Sequence, residues 1–148
     1  MGGNTSVAQT LEQRFQNWSY SCSEGACQTF VTLADPVKKD VKFSMSAVYN
    51  QKNKVVSTIL QMPLGVALPP GLRIYSDKST HLDLPYQTCD KTGCTAAAVL
   101  DAGWLEKFKA AESLQVQFIT YGKTTQDGFK IPMAGFSDAL AKLVADAK

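Results

Sequence analysis

The sequence predicts an all-β or β-dominated fold, an antiparallel sandwich or barrel-like sheet with a short helix near 102–110 and a C-terminal amphipathic helix. Apolar and polar residues alternate with period two in several short runs. Turn residues separate these runs at the spacing typical of sandwiches and barrels. With 148 residues, 45% of them hydrophobic, the chain is expected to form one domain with its own core. We expect a loose segment over 1–13 and a single β-rich domain over 14–148.

The strands follow from alternation and from the breaks between runs. Phe43, Met45 and Ala47 alternate with serines and a lysine, which predicts a strand with one buried face. Residues 63–71 are apolar and contain three prolines, and proline cannot donate to a central ladder, so we predict an extended loop or edge segment there. An Asp127-Gly128 turn is predicted to precede the last strand. The predicted strands are 18–22, 26–33, 41–49, 55–62, 72–76, 81–87, 94–100, 114–121 and 129–133.

Two segments have helical signals instead. Asp101 is placed to cap a short helix that contains Trp104, Leu105 and Phe108. The C-terminal segment has apolar residues with the period of a helix, which predicts an amphipathic helix over 136–146 that begins near Gly135 or Ser137. Its polar face mixes acidic and basic residues, so we expect the helix to dock on the sheet.

Charge and hydropathy exclude some classes of partner. The net charge is +2, and the densest basic cluster, Lys38, Lys39 and Lys42, has no arginine and few aromatic neighbours. We therefore expect solvated lysines and no nucleic-acid partner. No apolar run is long enough for a transmembrane segment. The first residues lack a basic and an apolar region, and we expect a chain from which a secretory signal has been removed.

The four cysteines form two matched pairs. Cys22 and Cys27 flank Ser23-Glu24-Gly25-Ala26, and Cys89 and Cys94 flank Asp90-Lys91-Thr92-Gly93. Each polar gap lies between two predicted strands, which indicates a hairpin whose strands begin at the cysteines. Residues that face each other across a hairpin are close enough for a disulfide. Of the three possible connectivities, this favours 22–27 and 89–94.

Other states of the cysteines remain open from the residues alone. The spacings also lie within the range of a four-cysteine zinc site, and free thiols are a third possibility. A C-x-x-C oxidoreductase motif is not present. The interpretation that the cysteines form disulfides implies an oxidising compartment, which is the periplasm, the cell surface or the exterior.

The sequence offers no positive case for catalysis. His81 is the single histidine, and a hydrolase would have to pair it with Asp77 or Asp83. No nucleophile elbow, phosphate loop or metalloprotease motif occurs. We therefore expect no catalytic residue, no cofactor and no metal.

Ordered motifs run through the chain from Trp18 onward, namely Trp18…Cys22…Cys27, Met62-Pro63-Leu64-Gly65-Val66, Pro70-Gly71-Leu72, Asp77, Leu84-Pro85…Cys89…Gly93-Cys94, and Ala134-Gly135-Phe136 with Ala139. In these motifs and their order the sequence resembles the invasion-associated locus B family of bacterial proteins. The resemblance implies export in Gram-negative bacteria with a cleaved signal peptide, and no enzymatic activity is implied by it.

These observations together predict an exported, non-enzymatic protein that is periplasmic, outer-membrane-associated or secreted. Its expected partner is an unidentified protein of the envelope or of a host cell, and its oligomeric state is open. Two alternatives remain: a periplasmic ligand-binding or stress-related module, which requires a deep apolar pocket, and a hydrolase that uses His81.

Overall fold

Alternating runs become strands along nearly the whole chain. A computed structural model describes residues 11–24, 26–34 and 42–147, and these contain eleven strands and two α-helices. The elements are β1 Leu11–Phe15, β2 Trp18–Ser23, β3 Ala26–Ala34, β4 Lys42–Asn50, β5 Val55–Met62, β6 Leu72–Tyr75, β7 His81–Leu84, β8 Tyr86–Asp90, β9 Gly93–Leu100, α1 Ala102–Ala110, β10 Ser113–Ile119, β11 Gln126–Pro132 and α2 Phe136–Asp146.

The strands form two sheets. The larger has seven strands in the order β1-β2-β3-β4-β5-β9-β8, and the smaller has four in the order β11-β10-β6-β7. Neighbouring strands are antiparallel throughout the described pairings. Neither sheet closes on itself, so the predicted β-dominated fold is confirmed in its open, two-sheet form.

One core joins the two sheets and both helices. Along β5 each second residue is buried, as period-two alternation requires. In β4 the buried residues are Phe43, Met45 and Ala47, which confirms the predicted inward face. The Phe43 ring stacks on Phe129 of the smaller sheet at 4.2 Å between centroids. The sheets therefore pack face to face at this point.

The two helices also contribute side chains to this core. Asp101 caps α1 as predicted, with its Oδ1 accepting from the Trp104 amide at 2.8 Å. In α2 the buried residues are Phe136, Ala139, Leu140 and Leu143, as the apolar stripe predicted, whereas Val144 of the same stripe is 41% exposed. Phe136 meets the fully buried Trp18 at 4.9 Å between ring centroids. The last helix thus docks on the large sheet.

Two details of the predicted strands are wrong. The single strand predicted over 81–87 is two strands in different sheets. The first, β7, ends just before Pro85, and the second, β8, begins just after it. Proline lacks the amide that would continue one ladder, so the chain crosses between sheets there. The predicted Asp127-Gly128 turn lies inside β11, where these residues pair with Phe118 and Gln117.

The predicted start of the domain and several predicted residues lie at or beyond the ends of the described ranges. Residues 11–13 form part of β1, so the expected domain start at residue 14 lies within that strand. Residues 1–10, Lys38, Lys39 and Val41 lie outside the described residues. None of the described helices has the length and apolar character needed to cross a membrane.

Candidate functional site

Each cysteine pair lies at the end of a tight hairpin. Cys22 faces Cys27 across β2 and β3 with sulfurs 2.04 Å apart, and Cys89 faces Cys94 across β8 and β9 with sulfurs 2.11 Å apart. Both are disulfide distances, and they join the partners that hairpin geometry favoured. In the second turn, hydrogen bonds from the Thr92 hydroxyl and amide hold the pKa of Asp90 below its usual range.

The two disulfides occupy opposite ends of the seven-stranded sheet. Cys94 pairs with Met62 at the last residue of β5. Cys27 lies at the other end of the sheet, beside the β4–β5 turn. In the antiparallel pairing of β3 with β4, Thr29 lies opposite Ala47, so the residues before Thr29 lie opposite those that lead to Asn50, the last residue of β4. Four cysteines so placed do not converge on one ion. Within the described part of the chain, no three metal-binding side chains cluster.

A polar network ties the first disulfide to the last helix. The Tyr20 hydroxyl donates to Asp146 Oδ2 at 2.7 Å and lies 3.7 Å from Cys22 Sγ. Lys142 Nζ lies 3.2 Å from the same carboxylate oxygen and 5.3 Å from the centre of the Tyr20 ring. Burial, reinforced by the bond to Asp146, raises the pKa of Tyr20 well above its usual range. Sequence gives no signal for this contact between residues far apart in the chain.

His81 lies on the outer face of the smaller sheet. Its Nε2 is 3.7 Å from Asp83 Oδ1, which also accepts from Arg73 Nε at 3.0 Å. Tyr75 lies beside the imidazole, with ring centroids 5.3 Å apart. The other candidate partner, Asp77, instead accepts hydrogen bonds from Ser79 and Thr80 in its own turn. The structure thus brings His81 to Asp83 on an exposed surface and leaves Asp77 elsewhere.

Among the described residues, two cavities border the larger sheet. One, of about 300 Å³, lies between the first hairpin and the end of α2 and is lined by Cys27, Tyr49 and Asp146 among others. The second, of about 310 Å³, lies beside Arg14, Phe30 and Pro132. Both volumes are at the lower limit for a small-molecule site. Neither cavity includes His81.

In the described part of the chain, three large apolar side chains project into solvent at the Met62 end of the larger sheet. Leu64 is 57% exposed, Leu68 49% and Tyr121 80%. We call these three side chains the apolar rim. The loop that carries the two leucines begins directly after Met62, and the Cys89–Cys94 hairpin lies at the same end. The sequence predicted the loop from its prolines but did not place Tyr121 beside it.

The two loops that form the apolar rim are joined by backbone hydrogen bonds. The Tyr121 amide donates to the Gly65 carbonyl and the Ala67 amide to the Ile119 carbonyl, both at 2.7 Å. Between them Val66 and Thr120 form an isolated antiparallel bridge, and Val66 is buried. The loop therefore attaches to the smaller sheet through one short ladder.

Comparison with known proteins identifies relatives of matching length. An invasion protein B homolog of Brucella abortus (strain 2308) is 25% identical over 144 residues, which is 95% of this chain and 83% of that protein. A second homolog, from Brucella abortus biovar 1 (strain 9-941), gives the same values. These relatives are named as invasion proteins and not as enzymes.

A solved structure has the same fold. The crystal structure of invasion associated protein B from Bartonella henselae superimposes with a TM-score of 0.81 at 24% identity and covers 91% of this chain and 96% of that one. The family model for the invasion associated locus B protein matches residues 18–144. That range includes both cysteine hairpins and the apolar rim, so the chain belongs to the invasion associated locus B family.

Proposed function

We propose that this protein is exported to the envelope or cell surface, where it acts by binding rather than by catalysis and aids contact with a host cell. The observation that carries the proposal is membership of the family over residues 18–144, which contain both disulfide hairpins. Disulfides persist in oxidising compartments, and a bacterial cytoplasm keeps thiols reduced. The names of the Brucella relatives support the host-cell part of the proposal.

The placement of His81 supports a non-enzymatic role. A general base needs a reacting group within hydrogen-bond reach and a site that limits access of water. His81 instead contacts Asp83 at 3.7 Å on an exposed sheet face, and that carboxylate is shared with Arg73. The ligand-binding alternative is less well supported, because the two cavities described above have volumes at the lower limit for a small-molecule site.

Cell fractionation with thiol labelling tests the export. The natural gene is expressed in its own bacterium, and the fractions are alkylated without reductant before mass spectrometry. We expect the protein in the periplasmic, outer-membrane or secreted fraction with all four cysteines unlabelled. A cytoplasmic pool whose four cysteines label readily would contradict the proposal.

Host-cell contact is tested separately with a gene deletion. The deletion strain is expected to enter cultured host cells less efficiently, and a plasmid copy is expected to restore entry. The matched control is a plasmid carrying His81→Ala, which should restore entry equally, because His81 has no catalytic part in the proposal. Unchanged entry of the deletion strain would refute the host-cell part and leave the export result standing.

A further inference from the structure

The three side chains of the apolar rim leave much of their hydrophobic surface exposed to solvent. Leu64, Leu68 and Tyr121 are each about half exposed or more, whereas Val66 between the two leucines is only 7% exposed. Val66 thus anchors the loop in the core, and the leucines are free to contact something else. Large apolar side chains that cluster in solvent often mark a contact surface.

Several backbone groups of the two loops that carry the apolar rim are already hydrogen-bonded. Four of these groups pair across the two loops in the bonds between Tyr121 and Gly65 and between Ala67 and Ile119. Four more pair within turns, where the Gly71 amide donates to the Leu68 carbonyl and the Lys123 amide to the Thr120 carbonyl. Unpaired backbone groups are costly in hydrocarbon, so a loop whose groups are paired enters a bilayer interface at lower cost.

The charges around the apolar rim also suit a lipid headgroup layer. Residues 63–76 and 113–126 contain no acidic residue, and the turn that carries Tyr121 contains Lys123. Two aspartates lie near this end but outside the two loops: Asp90 accepts a hydrogen bond from Thr92, and Asp127 accepts one from Thr120. Within the turn that carries Tyr121 the charged side chain is Lys123, and lysine is attracted to a lipid phosphate.

The make-up of the surface suits a bilayer. The apolar rim consists of two leucines and a tyrosine, and the loops that carry them contain no acidic residue. Leucine and tyrosine are suited to the boundary between headgroups and acyl chains, since tyrosine keeps its hydroxyl in the polar layer. We propose that the apolar rim inserts into the surface of a phospholipid bilayer and holds the protein there reversibly.

This inference deepens the proposed function, because it names the surface that an exported protein would contact. Vesicle co-sedimentation with the purified, oxidised chain tests it, using vesicles of phosphatidylcholine and phosphatidylglycerol in equal parts. The chain is expected to sediment with vesicles and to remain in solution without them. In the variant Leu64→Ser/Leu68→Ser we expect the apparent affinity to fall about tenfold or more, since each half-exposed leucine contributes only part of a full burial.

The matched control is Val99→Ser. Val99 is 59% exposed, like Leu64, but it pairs with Ser57 toward the opposite end of the sheet. Its variant is expected to bind vesicles as the parent chain does, and thermal unfolding of all variants checks that they fold. Equal losses in both variants, or no sedimentation of the parent chain, would overturn the inference.

A second measurement reports the depth of the contact. In the variant Tyr121→Trp, the new indole is expected to shift its fluorescence to shorter wavelength when vesicles are added, and an unshifted spectrum would overturn insertion.

An exported protein that does not bind vesicles would refute this inference alone. A cytoplasmic protein that does bind them would refute the proposed export alone. Capture of a host protein that depends on the leucines, without vesicle binding, would identify the apolar rim as a protein contact and overturn the inference.

Discussion

The Tyr20 hydroxyl lies where the large sheet, the last helix and the first disulfide meet. It donates to Asp146, and Lys142 lies close to that carboxylate on the same helix. Hydrogen bonds to a charged acceptor contribute about 1.5–3 kcal/mol when the groups are buried. Tyr20 is almost fully buried, whereas Asp146 is partly exposed, so we expect a contribution near the lower limit.

Tyr20→Phe is expected to lower the free energy of unfolding at neutral pH by about 1–2 kcal/mol. It should also reduce the sensitivity to alkali. Because the folded chain raises the pKa of Tyr20, the stability linked to its neutral form is complete below pH ~10, the pKa of an unfolded tyrosine, and is lost as the pH rises above it. Urea titrations between neutral pH and pH ~11 measure both effects.

The control for that measurement is Tyr121→Phe, which removes a hydroxyl from a tyrosine that is 80% exposed and should leave stability nearly unchanged. Some alkaline loss should remain in Tyr20→Phe, because burial also raises the pKa of Tyr86 to about 12. A variant that loses stability with pH as steeply as the parent chain would show that Tyr20 does not carry the effect.

At the scale of elements, the disulfides close hairpins that the sheet already holds. Each loop of six residues contributes only about 2 kcal/mol by the chain-entropy model. Their surroundings differ, however. The Cys22–Cys27 hairpin contacts α2 through Tyr20, whereas Cys94 pairs with Met62 at the end that carries the apolar rim. Removing each bond should therefore loosen a different part of the molecule.

The double variants Cys22→Ser/Cys27→Ser and Cys89→Ser/Cys94→Ser test this difference, each serving as the control for the other. Each is expected to lower the free energy of unfolding by about 2 kcal/mol. Amide hydrogen exchange should become faster at the end of α2 in the first variant and remain unchanged there in the second. The same exchange pattern in both would contradict a local role for the disulfides.

The strands show which elements can be predicted from sequence. Residues 55–62 were predicted at the correct ends because turn residues precede the run and Pro63 follows it. The Asp127-Gly128 turn was wrong because local turn preference is weaker than the pairing of β11 with β10, which extends to Gln126. The division at Pro85 was missed because a proline ends a ladder but does not say which sheet the next strand joins.

At the scale of the molecule, the connection before α2 fastens the small sheet to the large one. The Trp18 indole donates to the Pro132 carbonyl at 2.9 Å, and the Asn17 amide donates to the Ala134 carbonyl at 3.1 Å. Gly135 follows with φ 96°, and a Cβ there would overlap the Phe15 carbonyl. Only glycine fits this close approach, because it has no Cβ and tolerates positive φ.

Gly135→Ala is therefore expected to destabilise the whole fold by about 3 kcal/mol or more, from strain at positive φ and from displacement of β1. The control is Gly122→Ala, which has φ 87° and open space around the added Cβ, and which should cost about 1 kcal/mol. Thermal unfolding followed by far-UV and near-UV circular dichroism gives both values. Equal costs would mean that the contact with Phe15 is not important.

The candidate site was predictable to different degrees. The cysteine partners followed from two equal polar gaps between strands. The apolar rim was only partly visible, because the apolar loop was evident but its pairing with residues 119–121 depends on the three-dimensional arrangement of the two sheets. The Tyr20–Asp146 contact joins opposite ends of the chain and leaves no pattern in a single sequence.

The short span of each disulfide has a consequence for how the chain oxidises. Each bond joins cysteines five positions apart, so each needs only its own hairpin and not the finished sandwich. A hairpin brings its two ends together quickly, so Cys22 meets Cys27 and Cys89 meets Cys94 before distant parts of the chain have docked. Correct pairing therefore follows from local chain closure, and a bond between Cys22 and Cys89 would need a contact between residues far apart in the chain.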